Sequence, residues 1–120
     1  MPPHGPSLEP PYRFDTTVPG DGVIVARISG DLDYLCAPQL RRRLLDQVDA
    51  SCRLLVVDLT GVTMLSAAAM EMLLAVDVLA AARSCELRLV ASNRAVLRPL
   101  SLTGLDERLA VHGTLADALR

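Results

Sequence analysis

The side chains of this sequence suited to covalent or acid–base chemistry include two histidines, three cysteines and the carboxylate pair Asp31 and Asp33. His4 and His112 lie at opposite ends of the chain, and neither has an acidic or thiol neighbour at ligand spacing, so no metal site is expected. Asp31 and Asp33 stand two apart at the end of an expected strand, which suits an acidic loop open to water better than a general acid/base pair. Cys36, Cys52 and Cys85 are odd in number and form no C-x-x-C, which argues against a disulfide framework and against zinc. Cys36 precedes Ala37-Pro38 at an expected helix start, where a thiol pKa can be depressed and reactivity raised. Cys52 and Cys85 each precede a strand, and parallel neighbours would bring those two starts to one end of a sheet. The three cysteines are thus candidates for redox control, against the alternative that they are small semi-buried hydrophobes. There is no G-x-S-x-G, no phosphate-cradling glycine loop and no dinucleotide fingerprint. Neither an enzyme nor a cofactor is expected.

The elements that hold these groups must come from one domain, since 120 residues leave no room for two. Hydrophobic residues at 51% exclude a disordered chain. With no Trp, and with Tyr12, Phe14 and Tyr34 the only aromatics, the core must be aliphatic. A net charge of -2 gives no electrostatic reason to expect nucleic acid, and stacking platforms are missing as well. The longest apolar stretch, Met64 to Ala82, is interrupted by Ser66, Glu71 and Asp77, so no membrane insertion is expected. The N-terminus has neither a charged n-region nor an apolar h-region, so a signal peptide is not expected and a cytoplasmic location is.

Residues 1–11 carry five of the eight prolines and read as a flexible tail before a domain spanning 12–120. Tyr12 to Val18 and Val23 to Ser29 read as strands joined by the turn Pro19-Gly20-Asp21-Gly22, an antiparallel hairpin. Leu40, Leu44 and Val48 recur at i, i+4 and i+8 behind Pro38, an amphipathic helix. Arg53 to Leu59 is a strand covered on both faces, followed by a second helix from Met64 to Arg83 and a strand from Glu86 to Ala91. Asn93 to Leu102 reads as a short helix interrupted or bent near Pro99, and Gly104 as its stop. Ala110 to His112 is a last short strand, and Thr114 with Asp117 has near capping-box spacing. This alternation means α/β with a mostly parallel sheet.

The second helix is unusual. Its polar residues Ser66, Glu71, Asp77 and Arg83 fall at about 0°, 140°, 20° and 260° around the axis and make no broad polar face. Either small alanines are tolerated at the surface, or the helix is a docking surface with adaptable methionines. A homodimer could bury the same helix.

Three segments, in order, resemble the STAS domain, the fold of bacterial anti-sigma factor antagonists (anti-anti-sigma factors). They are Gly30-Asp31-Leu32-Asp33 with Ala37-Pro38, then Val57-Asp58-Leu59-Thr60-Gly61-Val62-Thr63 as a loop into the second helix, then Leu102-Thr103-Gly104-Leu105-Asp106. The resemblance implies a mixed, mostly parallel sheet of four to five strands with about four helices. It also implies a function in transcription regulation by protein–protein interaction: an antagonist binds an anti-sigma factor and so frees a sigma factor. In the family a D-S-S-G tetrad opens the second helix, and its second Ser is phosphorylated by an anti-sigma factor of the serine kinase type. Phosphate there meets free N–H groups and a favourable dipole, while its charge opposes docking.

Here the tetrad reads Ser66-Ala67-Ala68-Ala69, so Ala68 holds the phosphoacceptor position and cannot be modified. Ser66 is better read as a helix N-cap than as a displaced phosphorylation site. The expected docking surface joins the Asp31 to Cys36 loop with Ser66 to Met72, and its named contacts are Asp31, Asp33 and Cys36 with Ser66, Ala67, Ala68, Ala69, Met70 and Met72. The alternative function is a structural STAS subunit of a lipid-transport ABC complex or a stress-signalling scaffold. A ligand sensor or nucleotide binder is a third class, for which no phosphate loop is present.

Overall fold

The computed structural model describes residues 11–120. The tail expected over 1–11 therefore lies, except for Pro11, outside the described residues, as does His4. Along the chain run β1 (Tyr12–Gly20), β2 (Val23–Leu32), α1 (Ala37–Gln47), β3 (Leu54–Leu65), α2 (Ala67–Ala82), β4 (Glu86–Val90), α3 (Arg94–Leu102), β5 (Val111–His112) and α4 (Leu115–Ala118), with a 3-10 turn at Leu105–Glu107. The strands form one five-stranded sheet in the order β1-β2-β3-β4-β5. β1 is antiparallel to β2 and every later pair is parallel. The expected α/β class, mixed sheet and four helices are what the chain forms.

Burial follows the strand alternation. Leu55, Val57 and Leu59 of β3 point to the face where α1, α2 and α3 pack, joining Leu40, Leu44, Leu73, Val76, Val96 and Leu100 in the main core. Leu54 and Val56 point the other way, where Val23, Val25 and Val90 meet Ala118 and Leu115 of α4. The unbroken apolar run of β3 is thus explained by cover on both faces. Burying each large aliphatic stabilises the fold by about 1.5–3 kcal/mol. Among the described residues no polar or charged residue is buried. The edge strand β1 is tied to α1 by a hydrogen bond from Tyr12 Oη to Gln39 Oε1 and by Arg43, 5.8 Å from the Tyr12 ring centroid and 5.4 Å from that of Phe14.

β3 runs further than its apolar run indicates. The sequence ends this strand at Leu59 and starts the second helix at Met64, whereas the strand continues to Leu65 and α2 begins at Ala67. The reason is a doubly bulged pairing with β2. Arg27 pairs with Asp58, Ser29 with Gly61 and Asp31 with Met64, so six steps of β3 span four of β2. The polar residues of the segment hold the bulges. Asp58 Oδ1 accepts from Thr60 N–H at 3.0 Å and from Thr60 Oγ1 at 2.8 Å. Thr63 Oγ1 donates to Asp31 Oδ1 at 2.5 Å. A Cβ on Gly61 would stand 2.8 Å from Ser29 Cβ, so this close approach needs glycine. Asn93 Nδ2, at the start of α3, donates to Val62 O at 2.6 Å and braces the bulged strand from the helix side. α3 itself runs unbroken through Pro99 rather than being interrupted there.

Gly30 has φ +99, and a Cβ there would meet Pro11 O at 2.4 Å. Gly30→Ala therefore combines left-handed backbone strain with a backbone clash. It is expected to cost about 2 kcal/mol or more in urea denaturation; a loss under about 0.5 kcal/mol, within the range of ordinary surface changes, would contradict this packing.

Candidate functional site

The extended β3 delivers the start of α2 to the end of β2. Asp31 pairs with Met64 and Leu32 with Leu65, and Ser66 N–H donates to Leu32 O at 2.9 Å. Ser66 then caps α2: its Oγ accepts from Ala69 N–H at 3.1 Å, and Met70 N–H reaches Ser66 O at 3.0 Å. Ser66 is an N-cap in extended backbone, the role its residue type suits.

On the β2 side, Asp33 folds the connection into α1. Its Oδ1 accepts from Leu35 N–H at 3.0 Å and from Cys36 N–H at 3.1 Å, an Asx-type turn. The turn leaves Tyr34 70% and Leu35 72% exposed. Between the helices lies a shallow groove of about 380 Å³. Tyr34, Ala37, Pro38 and Arg41 line it from the α1 side, and Ala68, Glu71, Met72 and Ala75 from α2. A partner segment placed here would cover apolar surface between one Arg and one Glu.

The expected partner-binding residues divide by burial. Asp31 and Ala67 are exposed, while Asp33, Ser66 and Ala68 are half-buried. Cys36, Ala69, Met70 and Met72 are buried, at most 6% exposed, so their side chains belong mainly to the core. The helix turn explains this, since Ala69, Met70, Leu73, Val76 and Ala80 all face the sheet and neighbouring helices. Met70 Sδ meets Thr103 Oγ1 at 3.8 Å, next to α3. The methionines are therefore packing residues, with Met72 alone also lining the groove. The outward side of α2 is Ala67, Glu71, Val78, Ala81 and Ala82.

Tyr34 and Leu35 fall inside the expected Asp31 to Cys36 loop without being named as contacts, and Met64, 38% exposed, lies outside the expected surface. The signal available was the placement of an apolar pair, Tyr34-Leu35, directly after an aspartate that could form a turn.

The cysteines separate into two locations. Cys36 Sγ donates to Asp33 O at 3.2 Å. Burial, and then the Asp33 carboxylate, push its thiol pKa up, opposite to the depression expected at a helix start. Desolvation outweighs the helix terminus here because the thiolate would sit beside a second negative charge. Cys52 and Cys85 meet at the other end of the parallel strands, Sγ to Sγ 3.2 Å, both buried. Burial and the Cys52 thiol push Cys85 up to about 12. Among the described residues no three His, Cys, Asp or Glu side chains cluster for a metal. No described helix is long and apolar enough to cross a membrane.

Residues 16–118 match the STAS domain. The chain is 31% identical over 104 residues to the anti-sigma-F factor antagonist RsfB of Mycobacterium tuberculosis, covering 87% of this chain and 84% of that protein. The crystal structure of an anti-sigma factor antagonist from Mycobacterium paratuberculosis superposes with a TM-score of 0.77 at 31% identity, covering 90% of this chain and 91% of that one. The anti-sigma factor antagonist SpoIIAA in its unphosphorylated form has a TM-score of 0.74 at 15% identity, covering 89% and 93%. That last likeness is one of fold.

Capping by Ser66 has a measurable weight. Ser66→Ala should destabilise the protein by about 1 kcal/mol, and Ser66→Gly by a few tenths. Equal stability of Ser66→Ala and the parent in thermal and urea unfolding would remove the capping role.

Proposed function

The chain belongs to the STAS domain family, and on that premise we propose that it is an anti-sigma factor antagonist. It binds an anti-sigma factor in the cytoplasm and so releases a sigma factor. The observation that carries the reading is 31% identity to RsfB, named as an anti-sigma-F factor antagonist, across 87% of this chain. The surface supports it. Tyr34 and Leu35 stand out on the Asp33 turn beside the apolar groove between α1 and α2, an exposed patch of the kind protein partners cover.

The proposed action is binding alone, without catalysis. Ala68 occupies the second helical position of α2 and has no hydroxyl to modify. The nearest hydroxyl along the chain, on Ser66, already accepts the Ala69 N–H. A phosphate on Ser66 would replace that cap and place about -1.5 to -2 charges beside a groove that holds Glu71. The antagonist is thus competent at all times, and the partner need not be a kinase.

The test uses the purified protein with a cognate sigma–anti-sigma complex. Addition of the protein should free the sigma factor, with the same affinity within about twofold whether or not Mg-ATP is present. No radiolabel from ATP should reach the protein. Tyr34→Ala and Leu35→Asp should each weaken binding at least about tenfold, as for anchors at an interface centre. Label that appears on the parent and vanishes in Ser66→Ala would overturn the unswitched mechanism; failure to displace any sigma factor would overturn the antagonist reading.

A further inference from the structure

Cys36 stands alone, but Cys52 and Cys85 are paired. We propose that these two residues form a reversible intramolecular disulfide on exposure to hydroperoxide, pinning β3 to β4 at the end of the sheet opposite the docking groove.

The placement follows from the parallel pairing. Cys52 lies two residues before β3 and Cys85 one before β4, and Leu54 pairs with Glu86. Both backbones are fixed around the thiols. Glu86 N–H donates to Arg53 O at 3.0 Å, Cys85 N–H to Ala80 O at 2.9 Å, and Cys52 N–H to Asp49 Oδ1 at 3.1 Å. With the sulfurs already 3.2 Å apart, bond formation needs an approach of about 1 Å. Cys36 is excluded by position, since it begins α1 at the far end of β2. Cys85, though only 1% exposed, borders an open depression of about 410 Å³ with Arg53, Asp77 and Ser84, the side from which oxidant must enter.

The chemistry balances with one peroxide. One thiol, as its thiolate, attacks the O–O bond; its sulfur takes a hydroxyl to become a sulfenic acid, and the displaced hydroxide leaves as water with the released proton. The second thiol attacks that sulfur, the S–S bond forms, the S–O bond breaks and a second water leaves. Two thiols lose two electrons and two protons, and the peroxide is reduced to two waters. Burial holds Cys85 protonated at neutral pH, so Cys85 is slow as the attacking thiolate. The bond would close a loop with a sequence separation of 33 residues that contains all of α2. The main expected consequence is therefore greater stability. This pairing does not depend on the antagonist reading, because none of its residues lines the groove.

The test is made on the full chain in native buffer. After excess hydrogen peroxide, removal of oxidant and denaturation, titratable thiols should fall from three to one. Tryptic mapping should link the peptide of residues 44–53 to that of residues 84–88, and dithiothreitol should release it. The oxidised protein should melt at least about 5 °C higher. Cys36→Ser should leave the link intact, and Cys85→Ala should abolish it. Three thiols remaining, a link that involves Cys36, or oxidation of Cys52 and Cys85 to unlinked sulfinic acids would each overturn the proposal.

Discussion

The bulged pairing of β2 with β3 is the constraint on which the rest of the molecule depends. Two extra residues in β3 are absorbed as bulges, and the parallel ladder still reaches Leu65. The hydrogen bond from Ser66 N–H to Leu32 O then fastens the start of α2 to the end of β2. Through that contact the Asp33 turn, the cap of α2 and the groove come to the same end of the sheet. A slip of one residue would turn the buried set of β3 to the wrong face, so the side chains that hold the bulges have a clear purpose. Asp58 turns the chain at Thr60, Gly61 allows Ser29 to approach, and Thr63 closes on Asp31.

An aliphatic core around that sheet sets what is left for the surface. α2 buries Met70, Met72, Leu73 and Val76 and turns Ala67, Glu71, Val78, Ala81 and Ala82 outward, which permits close cover by neighbours but leaves Glu71 as the one charged group on that side. Distinctive chemistry at the groove comes instead from the Asp33 turn, which spends its carboxylate on two backbone N–H groups and leaves Tyr34 and Leu35 in solvent. A partner that covers them removes apolar area from water, and in exchange the Asp33 turn is already ordered before binding.

Much of this is legible in the residues. The turn at 19–22, the i, i+4, i+8 aliphatics of α1 and the apolar run of β3 give the element order, and the three quoted motifs give the family. The end of β3 is not legible, because Thr60-Gly61 reads locally as a strand breaker and only pairing with β2 overrides it. Which side of α2 is buried is also hidden, since its polar residues mark no face; packing against the sheet decides it. Cys52 and Cys85 could be placed at one end of a parallel sheet from sequence, but their contact needs the register between β3 and β4. The direction of the Cys36 pKa is not legible either, because burial and the Asp33 carboxylate act through the folded structure.

The central claim is that the Tyr34–Leu35 turn and the adjoining edge of α2 dock an anti-sigma factor. The most direct measurement is affinity capture from a lysate of the source organism, with the parent protein and a Tyr34→Ala/Leu35→Asp double variant in parallel, followed by mass spectrometry. The account predicts an anti-sigma factor retained by the parent and lost from the variant. Retention of a transporter ATPase or a scaffold protein in its place, or equal retention by the two baits, would contradict it.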